Sequence, residues 1–296
     1  MAFVVGCSAA SAAVLAEQQD DGKYCLKVGS LSMTIDAQKG GKILSLKHGD
    51  AEIISQLRWP ESFGSTFWTS PQKEWNWPPV PEFDKQPYTV EQKGDTLVLT
   101  SGVSEKLQCS VGKAFAVDPS DNAFVITYSI KNESGAARKV APWEITRVAN
   151  DGIIFFDAPI DSITPAGLMN FEEKFGAVWY TADEASQNRK INADGKGWLA
   201  YCANGLLLVK KFQDLDASQP APGEAEIQVY VNLRKTYIEL ESQGAYTELK
   251  PGESLSWTVR WYLLPVSCDG VSGPGSPRSC AVPSESLLQQ VKSIVE

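Results

Sequence analysis

Apolar and polar positions alternate with a period of two through most of the chain. Leu31, Met33 and Ile35 alternate with Ser32, Thr34 and Asp36, and Phe124, Ile126, Tyr128 and Ile130 with Val125, Thr127 and Ser129. Ile227, Val229, Val231 and Leu233 alternate with Gln228, Tyr230 and Asn232, and Leu255, Trp257, Val259, Trp261 and Leu263 with Ser256, Thr258, Arg260 and Tyr262. A period of two puts one set of side chains on each face of a strand, so these segments are predicted to be half-buried antiparallel strands. Turn-forming residues punctuate them at Gly40 and Gly41, His48–Asp50, Lys93–Asp95, Asp118–Asn122, Asn132–Gly135 and Pro251–Glu253. One segment has helical spacing instead. Over Ser284–Val295, Leu287, Leu288, Val291, Ile294 and Val295 share a face, and Pro283 stands just before the start.

The chain has 296 residues, 43% of them hydrophobic, which is enough for a large core. No Ser/Gly-rich linker divides it centrally and no repeat of fixed period is found. The expected organisation is an N-terminal tail over 1–21, one β-domain over 22–266, and a C-terminal loop and helix over 267–296. More than a dozen antiparallel strands in one domain predict an all-β fold, a large two-sheet sandwich.

Charge and composition narrow the chemistry. Lys and Arg number 27 against 36 Asp and Glu, a net charge of -9, so the field repels phosphate backbones and nucleic acid is not an expected partner. The single histidine, His48, excludes zinc sites built on two or three histidines and argues against a Ser-His-Asp triad. None of the six cysteines forms a CxxC pair, so neither a metal ribbon nor a redox motif is present. No metal and no cofactor is expected. Residues 1–16 are small and apolar, and the Val4–Cys7 run resembles a lipoprotein box. Export to the periplasm or outer membrane is therefore expected, with membrane attachment through a lipidated Cys7. Cys268 and Cys280 flank a Gly-, Pro- and Ser-rich loop and read equally as a disulfide or as two free thiols; Cys25, Cys109 and Cys202 read as core residues.

Four of the nine tryptophans, Trp59, Trp68, Trp75 and Trp77, fall within nineteen residues, among five prolines from Pro60 to Pro81. This stretch, 59–88, is predicted to be a long loop, since so much proline is incompatible with a central strand. Flat aromatic rings offer apolar faces to sugar C–H groups, and polar neighbours such as Lys73 could bind hydroxyls; the same rings could instead plug one end of the sandwich. Two strands carry carboxylates. In Ala141–Val148, Glu144 and Thr146 share one face, and Trp143, Ile145 and Arg147 the other. In Lys235–Ser242, Tyr237, Glu239 and Glu241 share a face opposite Ile238 and Leu240. Such a face is either a solvated edge or a polar cleft whose glutamates could do acid/base work, with Glu144 and Glu239 as the candidate catalytic pair.

The run FGSTFWTSPQKEWNWPP, then PWEITR, then VNLRKTYIELESQGAYTELKPGESLSWTVRWYLLP resembles a family of uncharacterised bacterial proteins with the galactose-mutarotase-like β-supersandwich. The resemblance covers about residues 24–265 and implies a sugar cleft on the concave face of one sheet. By resemblance, Trp75, Trp77, Arg147, Tyr237 and Glu241 would line it around Glu144 and Glu239; Trp68, Lys73 and Arg234 complete the candidate substrate-binding set. It implies a carbohydrate-binding protein of the cell envelope, with an oligo- or polysaccharide as partner. The alternatives are a carbohydrate-active epimerase, lyase or hydrolase, and an envelope interaction module. Aldose mutarotases pair a glutamate with histidine acids, and here the only histidine stands in a turn.

Overall fold

Two antiparallel sheets account for nearly all of the period-two segments in the computed structural model, which describes residues 16–59, 62–266 and 282–296. Cys7, Cys268 and Cys280, and with them the lipid-attachment and disulfide readings, lie outside the described residues. Among the described residues the first sheet has eleven strands and the second ten. The first runs in the order Glu17–Gln18, Tyr24–Val28, Leu31–Asp36, Lys42–His48, Ser65–Ser70, Arg138–Ala149, Tyr237–Gln243, Ile227–Val231 and Arg189–Ala193, with short strands Ala51–Glu52 and Thr247–Leu249 paired to Lys42–His48 and Arg138–Ala149. The second has Ser254–Pro265 near its centre, flanked by Ala123–Asn132 on one side and Leu206–Lys211 on the other.

The sheets pack face to face as the alternation requires. Phe67 of the first sheet stacks on Tyr128 of the second at 4.4 Å between ring centres. Met33, Ile35, Leu46, Val148, Ile238 and Leu240 are all buried. The apolar run Leu206–Val209 is covered on both faces: Lys210 turns toward the first sheet, while the next side chain, Lys211, donates to the Ile294 carbonyl of the C-terminal helix at 3.2 Å. That helix, Glu285–Val295, begins as its spacing predicts. Ser284 caps it by accepting from the Leu287 amide, and Leu287, Leu288 and Val291 are buried. Cys25, Cys109 and Cys202 are buried free thiols.

One expectation fails. The stretch 59–88 is not all loop: Ser65–Ser70 is a fully buried strand in the middle of the first sheet, followed by a turn of 3-10 helix at Gln72–Glu74 and a short helix at Pro81–Asp84. The prolines bracket the strand rather than interrupt it. Pro60 precedes it and Pro71 follows it, leaving STFWTS with every amide needed for pairing.

The interior between the sheets is not wholly apolar. Glu144, with no solvent exposure, forms an ion pair with the equally buried Lys210 across the two sheets. Ser65 donates to Glu144 at 2.6 Å, Ser242 lies at 3.4 Å, and Thr146 also donates to it. Burial pushes the Lys210 ammonium below its ordinary range, and Glu144 opposes that shift. Removing one partner leaves an uncompensated buried charge. Lys210→Met is therefore expected to cost about 3–5 kcal/mol in urea unfolding, and Lys210→Met with Glu144→Leu to recover most of it. A loss within about 0.5 kcal/mol for the single substitution, typical of exposed positions, would contradict this assignment.

Candidate functional site: a tryptophan-walled cleft with a carboxylate floor

With Glu144, Phe67 and Lys210 filling the space between the sheets, the opposite set of side chains on the same strands must lie on the first sheet's outer face. Register then brings four strands into one row. Arg147 stands opposite Glu239, Glu239 opposite Tyr230, and Tyr230 opposite Lys190. A second row sets Ile145 opposite Glu241, and Glu241 opposite Gln228. Directly opposed residues in an antiparallel pair lie roughly 4.5–5.5 Å apart, so the rows converge on a small polar floor.

That floor is ordered by charge. An Arg147 guanidinium nitrogen lies 2.8 Å from a Glu239 carboxylate oxygen, and a second donates to the Phe63 carbonyl at 3.3 Å. Glu241 Oε2 accepts from the Trp143 indole and from the Lys190 ammonium, each at 2.8 Å. The Lys190 ammonium also sits 4.5 Å above the Trp143 ring, a cation–π contact. Burial pushes the Glu241 carboxyl up to about 6, with Lys190 working against the shift and the Glu239 charge adding to it. Burial likewise raises the Tyr237 and Tyr230 hydroxyls above the ordinary tyrosine range.

The walls come from the tryptophan-rich segment, whose rings divide into two kinds. Trp68 and Trp75 are 4% and 3% exposed, whereas Trp59 and Trp77 are 45% and 55% exposed. Trp68 is fixed from behind: its indole donates at 2.9 Å to Asp84, which also accepts from Thr66 at 2.8 Å and pairs with the buried Lys42 at 2.9 Å. Trp75 donates to the Thr69 carbonyl at 2.8 Å and packs edge-on against Trp68. Trp77 also packs edge-on against Trp68, with ring centres 6.2 Å apart. The loop carrying Trp75 and Trp77 is tied down by the Arg138–Glu74 pair at 2.8 Å and by the Gln72 amide donating to Glu224 at 3.0 Å. Together these elements enclose a cleft of about 630 Å³, a size ordinary for a small-molecule site.

The structure brings Trp68, Trp77, Tyr237, Glu239 and Glu241 together as lining of this cleft. Arg147 lies beneath it, 1% exposed and paired to Glu239. Trp75 stands behind the wall rather than in it. Lys73 and Arg234 are exposed and stand outside the lining, although Leu233, next to Arg234, contributes. Glu144 is the clear correction. It lies on the reverse face of the sheet, bonded to Lys210, so it cannot meet a ligand in the cleft or act as the partner of Glu239. His48 ends a strand elsewhere, hydrogen-bonded to Ser30 at 2.9 Å. Trp59, one of the four clustered tryptophans, lines the cleft, and so do Trp143, Lys190 and Tyr230, which the linear pattern did not single out as ligand contacts. Trp143 shares its strand face with Arg147, and Tyr230 falls on the polar face of Gln228 and Asn232, so both signals were present. Lys190 comes from a strand that nothing in the linear pattern ties to the carboxylates. Among the described residues, no group of three or more His, Cys, Asp or Glu side chains is placed to hold a metal ion.

Neither a protein-family model nor a curated protein matches the sequence. Solved structures do match. A galactose mutarotase-related enzyme from Lactobacillus acidophilus superposes with a TM-score of 0.58 at 11% identity, over 84% of this chain and 99% of its own. A galactose mutarotase-like protein from Lactobacillus casei gives 0.55 at 11% identity, over 82% and 100%. The galactose 1-epimerase of Lactobacillus acidophilus NCFM gives 0.53 at 11% identity, over 86% and 98%. The fold is galactose mutarotase-like. Within this mutarotase-like sandwich, the separation of buried from exposed tryptophans has a measurable consequence. Trp75→Ala is expected to destabilise by about 3–5 kcal/mol, as for a large ring removed from a core. Trp77→Ala should change stability by no more than about 0.5 kcal/mol. Equal losses in denaturant unfolding would mean that Trp77 also serves the core and is not a free wall.

Proposed function

We propose that the protein is an acid–base enzyme acting at the anomeric carbon of a sugar, in the manner of an aldose 1-epimerase. The observation that carries this reading is the convergence of two carboxylates, Glu239 and Glu241, on the floor of one aromatic-walled cleft, with the Glu241 carboxyl raised to about 6. Residues two apart on a strand lie roughly 6.5 Å apart along it, enough for a sugar ring to span between them. Glu239, ion-paired to Arg147, takes the proton of the C1 hydroxyl. The C1–O5 bond then breaks as C1 becomes a carbonyl, and protonated Glu241 gives its proton to the ring oxygen. Rotation about C1–C2 and reversal of the two transfers gives the other anomer and restores both carboxyl groups. A group with a pKa near the working pH is suited to such transfers. Lys190 and Trp143 hold the Glu241 carboxyl in place, and the exposed faces of Trp59 and Trp77 take the apolar side of the ring. The matched structures, among them a galactose 1-epimerase and a galactose mutarotase-related enzyme, support the same chemistry. Export, with lipid attachment at Cys7, is part of the proposal and rests on the sequence of residues 1–16 alone.

A sugar-binding protein without turnover is the second reading, favoured by the two exposed rings, which suit capture as well as catalysis. Anomer exchange followed by NMR over a panel of aldoses separates the two. Acceleration over buffer is expected for at least one aldose, lowered about 10²–10⁴-fold in Glu239→Gln and Glu241→Gln without loss of folding. As Glu241 serves as the acid, kcat/KM should fall as pH rises through about 6, and this limb should vanish in Glu241→Gln. Tight binding with no acceleration for any sugar would leave the binding reading standing and remove the enzymatic one.

A further inference from the structure

The tryptophan-walled cleft does not end at Trp59. The half-exposed Trp59 also lines a second cavity of about 410 Å³, together with Lys23, Lys39, Arg58, Leu44, Phe63 and Asp36. One ring thus forms a wall of both spaces. The second differs sharply in charge from a chain whose net charge is -9. Among the described residues, three cations line it against one carboxylate, and that carboxylate, Asp36, is 6% exposed and accepts the Gln38 amide at 3.0 Å. Lys23 is bonded to Asp21, while Lys39 and Arg58 are exposed. The Arg58 guanidinium lies 4.9 Å over the Phe63 ring, which orients it, and the buried Lys42 ammonium lies 5.1 Å from the same ring. Phe63 in turn accepts from Arg147 beneath the carboxylate floor, so the two cavities share a backbone support.

Building on the proposed sugar chemistry of the main cleft, we infer that the substrate is an anionic oligosaccharide. Its reducing-end unit occupies the cleft over Glu239 and Glu241. The adjoining unit crosses Trp59 and carries a carboxylate or sulfate into the groove formed by Lys39 and Arg58. The main cleft cannot supply this selectivity. Its own cations, Arg147 and Lys190, are already paired with Glu239 and Glu241. A fixed planar guanidinium beside a flexible ammonium suits a carboxylate or sulfate held at the rim of a site.

The test is calorimetric binding of length-matched oligosaccharides: a neutral galactan oligomer, a polygalacturonate oligomer and a sulfated galactan oligomer. Each is measured at about 50 mM and about 300 mM salt, since a rim charge contact is screened over that range. The probes are applied to the whole protein and to Lys39→Glu combined with Arg58→Glu, two exposed positions outside the acid–base machinery. At least one anionic oligomer is expected to bind roughly tenfold tighter than the neutral one at low salt. That preference should shrink at high salt and disappear in the double variant, while neutral binding and the unfolding midpoint stay unchanged. Which anionic oligomer wins distinguishes carboxylate from sulfate. Equal affinity for neutral and anionic oligomers, or a preference that survives the double variant, overturns the inference while leaving the sugar cleft intact. Failure of every oligosaccharide to bind overturns the sugar reading itself, and this inference with it.

Discussion

Everything at the cleft depends on one register: the antiparallel pairing of Arg138–Ala149 with Tyr237–Gln243 that sets Arg147 opposite Glu239. A strand has two faces and a period of two, so a slip of one residue would send every side chain to the wrong side. Here both faces are demanding. The inner one must meet the second sheet with Glu144, Ile238 and Leu240, and the outer one must present Trp143, Arg147, Glu239 and Glu241. Opposite charges hold each face. Glu144 meets Lys210 within the sandwich, and Arg147 meets Glu239 on the outside. A slipped register would bury unpaired charges on one face and expose apolar residues on the other, at a cost of several kcal/mol per stranded charge.

The same device recurs around the tryptophans. The buried Lys42–Asp84 pair fixes the indole of Trp68, and Trp68 is the ring against which Trp75, Trp77 and Trp143 all pack. Rigidity of this kind matters for function because a wall that need not be ordered on binding saves conformational entropy at that step. The exposed rings therefore stand on a buried aromatic base that is itself anchored by an ion pair. The Lys42–Asp84 pair thus holds the wall of the cleft in place.

Much of this was readable in the chain. The alternation over Leu31–Asp36, Phe124–Ile130 and Leu255–Leu263 corresponds to strands, that over Ile227–Leu233 to a strand as far as Val231 with Leu233 in a 3-10 turn, and Ser284–Val295 to the helix, because both periodicities are local. That Trp143 and Arg147 share one face of their strand, and Tyr237, Glu239 and Glu241 one face of theirs, was also readable strand by strand. What could not be read was which face of each strand looks outward, since that is decided by residues distant in sequence. Glu144 and Thr146 looked like a polar face open to ligand, yet Lys210, sixty-six residues downstream, makes that face interior. Trp68 and Trp75 looked the same as Trp59 and Trp77 for a similar reason: Asp84 and the Thr69 carbonyl claim the first two, and nothing in their spacing says so. The strand Ser65–Ser70 was hidden by prolines that border it without entering it.

The most direct measurement is a titration of the Glu241 carboxyl carbon by NMR, assigned by its loss in Glu241→Gln and repeated with a bound aldose. The expected result is a midpoint near 6, well above an ordinary glutamate, that moves when sugar enters the cleft. A Glu241 that titrates as an exposed carboxylate does, and ignores sugar, would mean that the two strands do not present a buried acid to a ligand, and the account of the cleft would fall.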